Sequence, residues 1–251
     1  MNRPLIWLAL ILACLLTAGG FYAWHKAIPY EEVVERGPSP EAQANPYLAA
    51  EHFLRQQGIA VEHANSLERL ATLPAKGGSL LLLSERSNMT PRQVDKLLEW
   101  TQAGGHLLLV AEAIWDEETQ DSGDLLLDRL QLRQAFSDDF DQPAPPRKGK
   151  KPDLTRLYVD NETAPAFFSF DTDFTLIDPR HLAQFSANSA KSSHLMQLDL
   201  GQGRVTVITD SELWKTPDIG LHDNAWLLWY LTQGSNVTLL SNTDVENLFS
   251  L

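Results

Sequence analysis

Cysteine is nearly absent from this 251-residue chain: Cys14 stands alone, inside an uncharged apolar run. No intramolecular disulfide can form, and the remainder of the chain offers neither a thiol nucleophile nor a thiolate metal ligand. Positive charge is scarce as well, with 20 Lys and Arg against 33 Asp and Glu. Arg3 and Lys26 are the charges of residues 1–26, so residues 27–251 hold 18 basic against 33 acidic groups, a net −15. So acidic a segment repels phosphate backbones and anionic headgroups, so nucleic acid is not an expected partner; the same surplus serves ordinary solubility. Missing too are a Gly-x-Ser-x-Gly elbow, a P-loop, a dinucleotide glycine fingerprint and a His-Glu-x-x-His pair. Asp171 and Asp173 are too few carboxylates for a cation. Neither metal nor cofactor is expected.

What the chain does have is a long apolar start. Leu5 to Trp24 carries no charge, and at about 1.5 Å per residue it would match a hydrocarbon core of roughly 30 Å. A cleaved signal peptide and a lipoprotein box at Ile11-Leu12-Ala13-Cys14 are competing readings. The run exceeds a usual signal core, shows no small-x-small site before a polar start, and stays apolar for ten residues past Cys14. The expectation is therefore a retained transmembrane anchor over 1–26. Arg3 before it and Glu31, Glu32 and Glu35 after it favour a cytoplasmic start and an exported domain. That places the working part of the chain on the exported side of a membrane. A juxtamembrane linker over 27–44, with a short strand around Glu32–Glu35, leads to one domain over 45–251. Within it, 137–152 is acidic, then Pro-rich, then basic, and reads as a mobile surface loop.

Two helix–Gly–strand joints set the expected fold. Tyr47 to Gln57 is helical in pattern, Gly58 stops it, and Ile59-Ala60-Val61 follows as strand. Thr90-Pro91-Arg92-Gln93 is a capping box, and Val94, Leu97, Leu98 and Thr101 share a helix face. Gly104-Gly105 ends that helix before His106–Val110. Ser79–Leu83 and His106–Val110 are apolar on both faces, as in a parallel sheet covered by helices. The later half is more strand-like, with a hairpin around Gly201-Gln202-Gly203, a helix Asp223–Thr232 and a last strand Val237–Leu240. The expectation is an α/β, doubly wound, mostly parallel sheet with one antiparallel hairpin.

Three stretches, GPSPEAQANPYLAAEHFLRQQGIAV, LLLLSERSNMTPRQVDKLLEWTQAGGHLLLV and LGQGRVTVITDSELWKTPDIGLHDNAWLL, together resemble the bacterial membrane-anchored family called domain of unknown function 4350. The resemblance implies a flavodoxin-like sheet of the class I glutamine-amidotransferase kind, a Gram-negative envelope setting and genes beside a MoxR-type AAA+ ATPase. It implies no established activity. Family members often continue into a second membrane helix and a tail, whereas this sequence stops at Leu251, which leaves a shorter variant or a truncated sequence as expectations.

An amidotransferase seats a Cys nucleophile on a strained strand-to-helix turn between glycines. Here that turn reads Ala111-Glu112-Ala113-Ile114-Trp115, with no Cys, Ser or Gly. Glutamine hydrolysis by that route lacks its atoms. The polar residues expected beyond the carboxyl ends of the strands are Ser84, Glu85, Arg86, Glu112, Asp210, His222, Asp223 and Asn224. Turn-making and helix capping account for most of them. Ala225–Leu231 is apolar all round, so Trp226 and Trp229 are either buried or anchors for a partner or a membrane interface. The leading expectation is a non-catalytic interaction module of an envelope complex, tied to a MoxR-type ATPase through another subunit. A hydrolase using Asp210 and His222, and a solute sensor over Ser84–Arg86, are the alternatives.

Overall fold

A computed structural model of the chain describes residues 3–26, 37, 39–64, 72–83, 85–137, 154–158, 163–189 and 192–241, with side chains of the first helix at Trp7 and 11–22. The chain forms two compact units, Met1–Pro38 and Ser39–Leu251. The first carries helix α1, Arg3–Lys26. Among the described residues no helix is long and apolar enough to cross a membrane. This overturns the expected anchor and, with it, the membrane as a partner. The strand expected at Glu32–Glu35 and nearly all of the loop expected over 137–152 lie outside the described residues.

In the second unit the helices are few: α2 Pro40–Ala44, α3 Leu48–Gln56, α4 Pro91–Gln102, α5 Leu125–Leu130 and α6 Asn224–Thr232. The strands are β1 Val61–Ala64, β2 Ser79–Leu82, β3 His106–Val110, β4 Arg133–Phe136, β5 Thr155–Leu157, β6 Ala166–Phe168, β7 Phe174–Ile177, β8 Ala183–Asn188, β9 Ser193–Leu200, β10 Gly203–Ile208 and β11 Val237–Leu240. Nine of them make one sheet in the order β1-β11-β2-β3-β10-β9-β8-β5-β6, and β4 pairs with β7 separately. From β1 to β10 the four pairings are parallel; from β10 to β6 all four are antiparallel. The sheet is thus mixed, not mostly parallel with a single hairpin. The cause is local: β9 returns to β10 through Gly201-Gln202, and so tight a turn can only reverse the chain. Once β9 is antiparallel, β8, β5 and β6 extend the same pattern outward.

The parallel half has the spatial pattern of the flavodoxin order 2-1-3-4-5, but the place of the first strand is taken by the last, β11. That threading puts α3 and α6 on one face, with Ala50, Leu54, Leu227, Leu228 and Leu231 packed on Leu81, Leu108, Ile208 and Leu239. On the other face α4 and α5 place Val94, Leu97, Leu126 and Leu127 on Leu80, Leu82, Leu107 and Leu109. Alternate residues of β2 and β3 therefore meet different helices, which is why these strands are apolar throughout. The Thr90 capping box forms as its spacing predicts, with Pro91 at the helix start. The β9–β10 turn presses on α4: a Cβ added at Gly203 would lie 2.1 Å from the Thr101 carbonyl oxygen. Only glycine fits there.

Candidate functional site

Beyond the carboxyl end of β2, Arg86 turns inward and is buried. Its Nη2 pairs with Asp124, and its Nη1 lies 3.4 Å from Glu112 Oε1. The Arg86 backbone N–H donates to Glu112 Oε2 at 2.8 Å. Asp124 in turn caps α5, its Oδ1 accepting from the N–H groups of Leu126 at 3.0 Å and Leu127 at 3.4 Å. Arg86 therefore bolts the β2 and β3 ends to a helix start, and its charge is consumed internally rather than held out for an anion. Burial raises the Glu112 carboxyl above its usual range, against the pull of Arg86, with Asp124 and Glu85 adding to the rise. Glu85 is exposed and accepts from the Ser87 hydroxyl at 2.8 Å. Ser84 lies outside the described residues.

Asp210, just past β10, accepts from the N–H of Asp171 at 2.8 Å and of Glu212 at 3.0 Å. Burial, reinforced by the charges of Asp171 and Glu212, pushes its carboxyl up to about 6 in spite of those two bonds. His222 sits apart: it is exposed, with a φ of 49°, in the turn before α6. No hydrogen bond or ion pair described for either residue joins them, so the acid–base pair of the sequence reading is not assembled. Asp223 Oδ2 accepts from the Phe167 N–H at 2.8 Å, and the Asp223 N–H donates to the Phe167 carbonyl at 3.0 Å. Asn224 is buried and bonds the Ser169 N–H at 3.2 Å, the Ser169 hydroxyl at 2.8 Å and the Asp218 carbonyl at 3.0 Å. These two residues do not cap α6 with their side chains; they clamp its start to β6 and the segment that follows.

Trp226 and Trp229 are half-buried and line a shallow groove of about 420 Å³ with Phe53, Gln57, His222 and Asp223. Trp226 is engaged, stacked on Tyr230 at 4.8 Å and on Phe168 at 6.3 Å between ring centroids. The groove is where the sequence-derived aromatic and histidine candidates do come together.

Sequence reasoning missed a third cluster, at the carboxyl ends of β1 and β11. His63 Nδ1 is 2.5 Å from Glu51 Oε1, and His63 Nε2 is 3.3 Å from Ser241 Oγ. Glu51 also accepts from Asn45 Nδ2 at 2.6 Å and from Arg55 Nη2 at 2.9 Å. Burial works against the ionised Glu51 carboxyl, but the bonds from His63, Asn45 and Arg55 outweigh it and hold the carboxyl below its usual range. Tyr47 lies nearby in sequence, its hydroxyl donating to the Leu83 carbonyl at 3.2 Å and meeting the Ser211 hydroxyl at 2.7 Å. One signal was legible: Glu51 sits between Ala50 and Phe53–Leu54, on the apolar side of an amphipathic helix. A charge placed there must have a buried partner.

A family model described as domain of unknown function (DUF4350) matches residues 39–232. The chain belongs to this family. No curated protein matches its sequence. Among solved structures, an exo-beta-1,4-mannosidase from Opitutaceae bacterium strain TAV5 is similar at 16% identity and TM-score 0.46, covering 82% of this chain and 34% of that one. This DUF4350 chain thus spans about a third of that enzyme's length. A cytoplasmic protein of Salmonella typhimurium LT2 is similar at 14% identity and TM-score 0.46, covering 76% of this chain and 87% of its own. Another from Salmonella typhimurium stands at 14% and 0.46, over 74% and 85%.

Proposed function

We propose that this DUF4350 chain is a binding and interaction domain on a glutamine-amidotransferase-like sheet, serving as an accessory part of a bacterial envelope complex associated with a MoxR-type ATPase system. The observation that carries the reading is the state of the corner after β3. Where an amidotransferase-like sheet would present a nucleophile, this chain has buried Ala111 followed by Glu112, whose carboxylate is tied to Arg86. Among the described residues Ala111–Trp115 of that corner there is no thiol or hydroxyl to attack an amide carbon. The second support is the groove of Phe53, Gln57, His222, Trp226 and Trp229, an apolar surface with a polar rim of the kind partners bury.

The test is site-specific photocrosslinking of the full chain in its native cells. A benzoylphenylalanine at Gln57, in the groove, should capture one defined protein, and the same group at exposed Tyr158 should not. Trp229→Ala should reduce the Gln57 adduct about tenfold or more, as for an aromatic interface anchor. Equal capture from both positions, or none from Gln57, would sink the reading.

A further inference from the structure

We propose that Ser241, His63 and Glu51 form a nucleophilic relay, making the carboxyl ends of β11 and β1 an acyl-transfer site for small esters. This goes beyond the binding role and stands at a different place from the silent β3 corner. Three observations carry it.

The first is the order of the bonds. An ionised carboxylate only accepts, so Glu51 fixes the proton of His63 on Nδ1. That leaves Nε2 as a lone pair, and the one described atom bonded to it is Ser241 Oγ at 3.3 Å. Hydroxyl, imidazole and carboxylate therefore stand in the sequence that general-base activation of an alcohol requires.

The second is how the carboxylate is held. Its Oε1 takes His63 at 2.5 Å and Asn45 at 2.6 Å, while Oε2 takes Arg55 at 2.9 Å. The group that orients the imidazole is itself fixed from three sides. His106 provides the contrast within the same molecule. Its Nδ1 faces the Ser79 hydroxyl at 3.0 Å and its Nε2 the Thr206 hydroxyl at 2.9 Å. With hydroxyls on both nitrogens and no carboxylate bonded to the ring, His106 is held but not polarised toward a reaction.

The third is position. Ser241 directly follows β11, at the carboxyl ends of the parallel strands, the edge of an open α/β sheet at which ligands are received. Ser79 and His106 begin their strands, at the opposite edge.

In the step itself, Ser241 Oγ forms a bond to the ester carbonyl carbon as its proton passes to His63 Nε2. The carbon–alkoxide bond breaks, and the leaving oxygen takes that proton, giving an acyl-serine and an alcohol. Water, deprotonated by the same Nε2, then bonds to the acyl carbon; the bond to Ser241 Oγ breaks, that oxygen takes the proton back, and the acid leaves. Ser241 is only 2% exposed, and with side-chain exposures of 20% for His63 and 4% for Glu51 the site is limited to compact acyl groups.

A short-chain fluorophosphonate tests this on the full chain, because Ser241 Oγ would bond phosphorus, expel fluoride and pass its proton to His63. Intact mass should show one adduct, mapped by peptide analysis to Ser241. His63→Ala should slow labelling about 100-fold or more, and Glu51→Gln, which keeps the imidazole but removes the carboxylate that orients it, should slow it by a smaller factor. Ser241→Cys in a Cys14→Ser background keeps the question open to measurement if Ser241→Ala does not fold: iodoacetamide should alkylate Cys at 241 fast with His63 present and slowly with His63→Ala. No adduct at Ser241, or reactivity that ignores His63 in both formats, overturns the proposal. Crosslinking at Gln57 needs neither Ser241 nor His63, so either idea can fail without the other.

Discussion

At the amino edge of the parallel strands the buried polar side chains are neutral and answer one another. His106 begins β3 between the hydroxyls of Ser79 and Thr206, and Ser79 also meets Ser235 Oγ at 2.7 Å. At the carboxyl edge the polar groups are charged: Arg86 with Asp124 and Glu112, Glu51 with Arg55 and His63, and Asp210 among Asp171 and Glu212. Buried groups stand at both edges, His106 at one and Arg86, Asp124 and Glu51 at the other, and these differ in ionisation rather than burial. A neutral network locks geometry and resists gaining charge, whereas a charged one is sensitive to protons and to approaching ligands. The edge where such sheets bind ligands is the one built to respond.

The largest effect that would break this contrast is acid sensitivity at His106. Burial, helped by the nearby charge of Arg204, lowers its pKa to about 3 from an ordinary 6.5. Below 6.5 the unfolded chain takes the proton while the folded chain refuses it. Stability should therefore fall as pH drops from 6.5 toward 3, by roughly 5 kcal/mol from this one group. His106→Gln keeps a donor and an acceptor but cannot ionise, so its urea midpoint should decline far less between pH 7 and pH 4. Parallel declines in the two proteins would refute the neutral-edge assignment. Next in size is Arg86→Met at the other edge. It strands Asp124 and Glu112 as buried carboxylates and should lower the unfolding free energy at pH 7 by roughly 3–5 kcal/mol. Adding Asp124→Asn should recover part of that loss. A loss below about 1 kcal/mol would mean that the ion cluster holds nothing in place.

The two edges were unequally legible in the sequence, for a physical reason. Local signals survive translation into structure: Thr90-Pro91 with Gln93 gives its capping box, and Gly201-Gln202 gives its hairpin. The apolar runs at β2 and β3 are indeed covered on both faces. What the chain does not write locally is which strand neighbours which. Ser241 and His63 lie 178 residues apart and meet because β11 inserts beside β1, an outcome of threading rather than of any spacing. Asp210 and His222, only 12 apart, suggested a pair that the intervening 3-10 turn at Glu212–Trp214 and the clamp of Asp223 on Phe167 do not assemble. Arg86 was legible as a cation near the strand ends but not as a spent one, since Asp124 reaches it from 38 residues away. The extent of the antiparallel half was hidden for the same reason: β5 is short, and neither it nor β8 carries a turn signal that names its neighbours.

The smallest effect sharpens the contrast most, because it has the opposite sign in the same pH window. Asp210 holds its proton up to about 6, against 3.8 for an unperturbed carboxyl. The folded chain therefore binds a proton that the unfolded chain has released. The stabilisation linked to that proton is complete below 3.8 and is lost as pH rises through 6, a change of roughly 1–3 kcal/mol. Acidification from pH 6.5 to 4 thus weakens the amino edge through His106 while it strengthens the carboxyl edge through Asp210. Asp210→Asn removes the second contribution and keeps one oxygen for the N–H of Glu212 or Asp171. Measured by urea unfolding, its stability relative to the parent should rise steadily between pH 4 and pH 7, and the parent's own acid decline should be shallower than that of the variant. A difference that stays flat across this range would show that Asp210 is not a protonated carboxyl at mildly acidic pH. The carboxyl edge would then be charged but insensitive to protons at Asp210, instead of the responsive side of the sheet.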